Sequence, residues 1–292
     1  MSTDKASAKT YQNRTEFPTS LGTSTTDDIS LLGHDLAADL MGKVGFGELA
    51  FWLVAMRRPT AAEVRVFESV LVALADHGFT PTAIAARVTY LSAPDSLQGA
   101  IASGLLAGGS RFLGVTEDCG RFLADTLAAH TANGDPLPAC DAEWDALALD
   151  TIMARRAAGK FVPGLGHPNH KNGDPRTPAL IAIATEENLY GPHLQLFSAI
   201  GRMSEQGLGR ALPLNGAGVC GAALADLGLP TEMLRGFALL ARCAGLIGQL
   251  AEERRNPIAN DIYMNVDRGA HYVNPTTLIN TTVQPHPPTI SH

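Results

Sequence analysis

Between about residue 30 and residue 273 the apolar residues recur at the period of a helix, and this constrains the chain more than any other feature. Phe46, Leu49, Ala50, Leu53 and Val54 form one stripe, and Val64, Phe67, Val70, Leu71 and Leu74 form a second. Turns separate such stripes at Arg58-Pro59-Thr60 and Gly78-Phe79-Thr80-Pro81. Thr60 followed by Glu63 has the spacing of a capping box, and Thr80-Pro81 places a cap before a first-turn proline. Alanine-rich runs such as Ala83 to Ala86 and Gly221 to Ala225 let helices approach closely. Alternating strand-like runs are scarce, so the chain is expected to be all-α. With 292 residues, 45% hydrophobic and 17% charged, it has the material for one large domain or two modest ones and is not a disordered chain. Residues 1–30 read as a flexible N-terminal arm and 274–292 as a C-terminal tail, because neither shows apolar periodicity.

The formal net charge of −7 argues against nucleic acid or an acidic membrane surface as partner. Any anionic ligand must then meet individually placed arginines. The longest apolar stretch, Gly236 to Ala251, carries Arg242 at its middle and falls short of the ~20 residues a membrane span needs. The polar N-terminus lacks an apolar signal core, and a cytoplasmic location is expected. Cys119, Cys140, Cys220 and Cys243 are scattered, without metal-ligand pairing, and read as reduced, buried thiols. The nine histidines are likewise isolated from cysteines and carboxylates at ligand spacing, so no metal is expected.

Three polar features interrupt the apolar pattern. His77 lies in Asp76-His77-Gly78 at the end of an apolar helix, where a histidine beside the helix dipole and a glycine stop is the plainer reading. His167 follows the break Val162-Pro163-Gly164-Leu165-Gly166 and leads to Lys171 and Asp174-Pro175-Arg176. Arg242 sits in a helix that otherwise reads as core, and a buried arginine requires a carboxylate, either the protein's or a ligand's. Two arginines that grip carboxylates and a histidine beside a glycine break suit an acid–base step on a carboxylate-bearing substrate. The set does not name a reaction.

Taken in order, these segments resemble the citrate synthase superfamily, and within it the citryl-CoA lyase module of ATP-citrate lyase. Ala75-Asp76-His77-Gly78 resembles A-D-H-[EG], and Gly104 to Gly114 resembles G-L-L…D-R-F-G-G. Gly164-Leu165-Gly166-His167 through Arg176 is similar to G-x-G-H-R…K…D-P-R, and Ala241 to Gly245 to A-R-x-x-G. Glu253 to Ala259 is similar to E-x-R-x-x-P-I-A. The resemblance implies an all-α homodimer in which residues 31–112 and 222–273 form a large helical domain and 113–221 an inserted smaller one. It implies that His167 transfers the proton of the carbonyl or tertiary hydroxyl, that His77, Arg176 and Arg242 hold the acid, and that Val162, Gly164, Leu165 and Gly166 line the coenzyme A site. No tightly bound cofactor is implied, the coenzyme A thioester being substrate. The pattern also breaks: Phe112 stands where citrate synthases have the H-G-G-A histidine, Ala217 where the family has the aspartate of N-V-D, and Pro168 where it has the arginine after G-H. Cleavage of citryl-CoA to acetyl-CoA and oxaloacetate is the leading expectation, with His170, Glu117 and Asp118 as candidate proton donors. A condensing enzyme with an unusual acyl donor or oxo acid, and a non-catalytic binder of coenzyme A or a tricarboxylate, are the alternatives. The chain has no G-x-x-x-x-G-K-[ST] loop, so ATP-driven thioester formation is expected to need another protein.

Overall fold

The computed structural model describes residues 16–132, 134–167 and 170–275; Pro168 and all but the first two residues of the expected C-terminal tail lie outside them. Eleven α-helices build the described part: α1 (Phe46–Ala55), α2 (Ala61–Ala75), α3 (Pro81–Ser92), α4 (Leu97–Leu106), α5 (Val115–Ala132), α6 (Asp141–Ala157), α7 (Arg176–Glu186), α8 (Pro192–Leu208), α9 (Gly216–Asp226), α10 (Leu234–Arg255) and α11 (Ala259–Gly269). Ahead of them, within and just after the stretch read as an arm, Gly22–Ser24, Ile29–Leu31 and His34–Asp35 pair as a small antiparallel sheet.

The helix starts follow from local chemistry. Thr60 Oγ1 accepts the Glu63 N–H at 3.2 Å while Glu63 Oε2 accepts the Thr60 N–H at 2.8 Å, which is the expected capping box at α2. Thr80 caps α3 with Pro81 in its first turn. The stripe on α2 buries Phe67, Val70 and Leu74 as its spacing predicts. On α1 the face differs: Ala50, Phe51 and Trp52 are buried, whereas Phe46 is 70% exposed. The reason is an aromatic column, Phe51 edge-on to Phe67 at 5.5 Å and Phe67 edge-on to Phe237 at 5.0 Å, which sets the rotation of this peripheral helix.

The centre is the crossing of α5 and α9. A Cβ on Gly221 would lie 2.1 Å from the Thr116 carbonyl oxygen, so the two helices meet backbone to backbone there. Around it α8 packs on α6 and α9, and α10 on α2, α3, α4 and α5. A smaller cluster of Ala86, Ala100, Leu246 and Leu250 joins α3, α4 and α10. The helix α10 runs 22 residues, longer than its apolar stretch, and has the length and apolarity of a membrane crossing. It is nonetheless a packed helix, burying Arg242, Gln249 and Glu253 among its neighbours. Of the cysteines, Cys119 and Cys220 are buried as expected, with burial pushing both thiols well above their usual range. Cys140 is exposed, contrary to expectation, because it is the residue that precedes α6 at the surface.

Candidate active site

Four helices begin at one cleft. Pro81 of α3, Val115 of α5, Arg176 of α7 and Ala217 of α9 all line a cavity of about 340 Å³, together with His77, His167 and Arg242. Helix N-termini carry partial positive charge and unpaired N–H groups, so the convergence itself favours anions.

Arg242 is placed by close backbone packing. Gly245, one turn further along α10, lies so near the end of α2 that a Cβ would be 1.8 Å from the Ala75 carbonyl oxygen. That approach brings the guanidinium of Arg242 to Thr80 Oγ1 at 3.1 Å, Thr82 Oγ1 at 3.0 Å and the Leu74 carbonyl at 3.4 Å, with its Nε unpartnered. The residue is 5% exposed, and among the described residues no carboxylate pairs with it. Burial lowers the pKa of the guanidinium against the more distant pull of Asp76, which is itself bonded to Gln249 and the Gly78 N–H. The sequence requires an anion for this arginine, and the fold supplies a cleft in its place.

Arg176 is different. Asp174, itself 2% exposed, accepts from Arg176 Nε at 3.0 Å and Nη2 at 2.7 Å, and Nη1 donates to the Ala73 carbonyl at 3.1 Å. The fork expected to clamp a substrate is therefore occupied by the protein. Asp174 also accepts the N–H of Gly216 at 2.7 Å, tying α7 to the start of α9, and these bonds hold its carboxyl far below the usual range despite burial. At Gly216 itself there is no room for a side chain, since a Cβ there would lie 2.2 Å from Arg176 Nε.

His167 is held by a turn that pairs with the strand-like segment before α9. Leu165 bridges Leu214, the Gly166 N–H donates to the Pro213 carbonyl at 2.7 Å, and Asn215 Nδ2 donates to the Gly166 carbonyl at 2.9 Å. His167 Nδ1 accepts the backbone N–H of His170 at 3.0 Å, so the neutral ring carries its proton on Nε2, 3.9 Å from Asp174 Oδ2. Burial pushes its pKa down to about 4, with His170 adding to the shift. The ring is thus a neutral hydrogen-bond donor rather than a ready base. His77 and His170 join it: their Nε2 atoms are 3.3 Å apart, and the His167 and His170 ring centres are 4.3 Å apart. Spacing along the sequence left these three histidines isolated; the fold gathers them.

Other expectations divide. Phe112 and Ala217 both face the cleft, and neither places an ionisable group there. Glu117 and Asp118, weighed as proton donors, instead approach Arg235 at 3.4 Å and 3.5 Å, with Glu117 also paired to Arg121. Val162 and Leu165 line a second cleft of about 270 Å³ that also holds Arg156, Lys160 and Arg210. Gly164 does not line it: with φ +87° it packs against Phe197 and Cys119. The Gly166 N–H is already spent on Pro213. Arg111, Thr80 and Asn215 also stand in the cleft wall without having been named as site residues; each carried a local signal, Arg111 in the run similar to D-R-F-G-G, Thr80 as the cap of α3 and Asn215 as the cap of α9.

The sequence profile of the family described as citrate synthase, C-terminal domain, matches residues 12–263. The chain belongs to the citrate synthase family. Its fold matches that of a citryl-CoA lyase from Hydrogenobacter thermophilus with a TM-score of 0.75 at 27% identity, covering 90% of this chain and 99% of that one. It also matches an ATP citrate lyase from Methanothrix soehngenii, solved with citrate and coenzyme A, with a TM-score of 0.65 at 24% identity over 84% of this chain and 40% of that one. A curated relative described as a probable ATP-citrate synthase of Dictyostelium discoideum is 24% identical over 262 residues, 84% of this chain. The chain spans 39% of that relative's length. The expected citrate synthase-like, all-α fold is the fold observed.

Proposed function

We propose that the chain is a carbon–carbon lyase of the citryl-CoA type, splitting a 3-hydroxy-3-carboxyacyl-CoA into an acyl-CoA and an oxo acid, with citryl-CoA, acetyl-CoA and oxaloacetate as the leading set. The observation that carries this reading is Arg242, a buried guanidinium without a carboxylate, facing a cleft on which four helix N-termini converge. Such a site calls for a ligand with several carboxylates. The 27% identity to a citryl-CoA lyase along nearly its whole length supports the choice of ligand. The second cleft, with Arg156, Lys160 and Arg210 beside the apolar Val162 and Leu165, suits the phosphates and nucleotide of coenzyme A.

In the cleavage step the tertiary hydroxyl gives up its proton, the carbon–carbon bond electrons pass to the thioester as an enolate, and the enolate takes a proton to become the acyl-CoA. Arg242 and His77 hold the carboxylates, and His167 Nε2–H donates to the oxygen that changes from hydroxyl to carbonyl. For His167 to take the hydroxyl proton the ring must move its own proton to Nδ1, which breaks the bond from the His170 N–H. Entry of a polyanion raises the basicity of the ring and assists that exchange. The place where the family carries its α-carbon aspartate is Ala217, so the enolate is protonated by water or another group. The test is incubation with citryl-CoA, following oxaloacetate through a coupled dehydrogenase. Release that vanishes in His167→Ala, in a protein with unchanged circular dichroism, is the expected result. No release from folded protein that binds coenzyme A refutes the lyase reading.

A further inference from the structure

The structure assigns Gln249 as the positioning residue of His77: its amide, oriented by Arg87, holds Asp76 and so fixes the turn that presents the imidazole to the cleft. The groups involved lie on one face of α10. Arg242, Gly245, Gln249 and Glu253 follow one another at intervals of three or four residues, and this face runs along the end of α2. Gln249 Nε2 donates to Asp76 Oδ1 at 2.9 Å, and Asp76 Oδ2 accepts the Gly78 N–H at 2.9 Å. His77 is the residue between them, and it lines the cleft. Gly78 takes φ +70°, so His77 sits in a tight turn that the Asp76 carboxylate closes.

The direction of the Gln249 amide is set by what surrounds it. Arg87 has only donors, and its Nε gives one to Gln249 Oε1 at 2.8 Å. The amide nitrogen is thereby turned toward Asp76, whose carboxylate only accepts. Arg87 is itself fully buried and held by Glu253 at 2.8 Å and by Glu252. Its guanidinium also lies 5.1 Å from the ring centre of Phe79. The turn is therefore supported on both sides of His77, at Asp76 through Gln249 and at Phe79 by Arg87 directly.

Neither Gln249 nor Asp76 lines the cleft, so both act through His77. An imidazole held in place before the acid arrives spares binding the free energy of ordering it. This role rests on the reading of the cleft as a site for a carboxylic acid, whereas the placement of the imidazole is measured with no acid present.

The test exchanges the two partners. Gln249→Glu keeps the bond to Arg87 but sets a carboxylate against that of Asp76. Asp76→Asn sets an amide N–H against either the Gln249 amide or the Gly78 N–H. The double variant Gln249→Glu/Asp76→Asn conserves charge and every hydrogen bond with the roles reversed: the new asparagine donates to the new glutamate, and its oxygen still accepts the Gly78 N–H. The full-length protein is labelled with ¹⁵N-histidine, the His77 ring signals are assigned by their loss in His77→Gln, and citrate binding is measured by calorimetry. In each single variant the His77 signals move and citrate binds at least about tenfold more weakly, the scale of one hydrogen bond to a charged group. In the double variant the signals return and the citrate Kd lies within about threefold of wild type. Thermal melts confirm folding, and Gln249→Met replaces Gln249→Glu as the single variant if the latter unfolds. His77 signals unchanged in the single variants, or a double variant no better than the weaker single one, overturn the assignment. Wild-type protein that does not bind citrate refutes the acid-site reading instead, and the His77 signals still decide the role of Gln249.

Discussion

Two buried arginines of this fold are expected to respond in opposite ways to the same substitution. Arg87 on α3 is fully buried and meets Glu253 at 2.8 Å, Gln249 at 2.8 Å and Glu252. Arg242 on α10 is 5% exposed and meets two hydroxyls and a carbonyl. Arg87→Met strands Glu253, 5% exposed, as a buried carboxylate, and breaking such a pair costs about 3–5 kcal/mol. Glu252 is half exposed and turns to water, and Glu253 keeps its bonds to the Ile258 and Ala259 N–H groups, which brings the cost toward the lower end of that range. Arg242→Met removes a desolvated charge with no counter-ion. Thr80 and Thr82 keep their mutual 2.8 Å hydrogen bond, so stability changes by less than about 1 kcal/mol or rises. The loss should appear in ligand binding instead. A hydrogen bond to a charged group contributes about 1.5–3 kcal/mol, so a 30-fold weaker citrate Kd is a central expectation, at about 1.4 kcal/mol per tenfold. At citrate equal to 100 times the wild-type Kd, the stabilisation of about 2.7 kcal/mol then drops to about 0.9 kcal/mol. Urea unfolding of wild type and both variants, with and without citrate, reads all of these values. If Arg242→Met costs as much as Arg87→Met and leaves the citrate effect intact, Arg242 is a structural strut and the site reading fails.

Two further outcomes follow from the same structure. His167 has its pKa pushed down by burial to about 4, so the unfolded chain takes up its proton near 6.5 while the fold resists until about 4. Its contribution is therefore complete above about pH 6.5 and lost as pH falls toward 4, and urea midpoints of His167→Gln should be flatter than wild type across that window; equal slopes would show that the ring is not buried in its neutral form. Gly164→Ala places a Cβ 2.6 Å from Phe197 at φ +87°, and combined backbone strain and overpacking should cost about 2–4 kcal/mol; a melting temperature within a degree of wild type would contradict that geometry.

Helices were legible because their signals are local. The capping box at Thr60 and the proline after Thr80 lie within four residues of the backbone groups they serve, and both appear as read. The face of α1 was not, because Phe51 and Phe46 are equally apolar and only the column through Phe67 and Phe237 chooses between them. The same limit applies to the site. Arg242 was legible as a buried charge in an apolar helix, and His167 by its glycine break. Nothing near Arg176 marks that Asp174, two residues earlier, folds back to fill its fork, nor that His170 meets His77 from about ninety positions away. Periodicity gives each helix an inward face, but partners are set by how the faces meet.

That distinction bears on Ala217, the most consequential departure from the family pattern. Its effect is electrostatic as well as chemical. Asp174 neutralises Arg176 in the cleft wall, and a carboxylate at position 217 would do the same for much of the charge of Arg242 and the α9 N-terminus. Alanine there leaves the cleft more positive by one charge, in surroundings where burial already lowers the pKa of Arg242. More positive charge favours a polycarboxylate electrostatically, and the absence of a carboxylate at 217 removes a base that could move a carbon-bound proton. The cleft thus holds a buried guanidinium and clustered imidazoles, while position 217 offers no ionisable group. On the lyase reading proposed above, the groups that remain would act at the acid end of the substrate, where its hydroxyl or carbonyl oxygen meets the histidines, and the thioester end would depend on a proton from elsewhere.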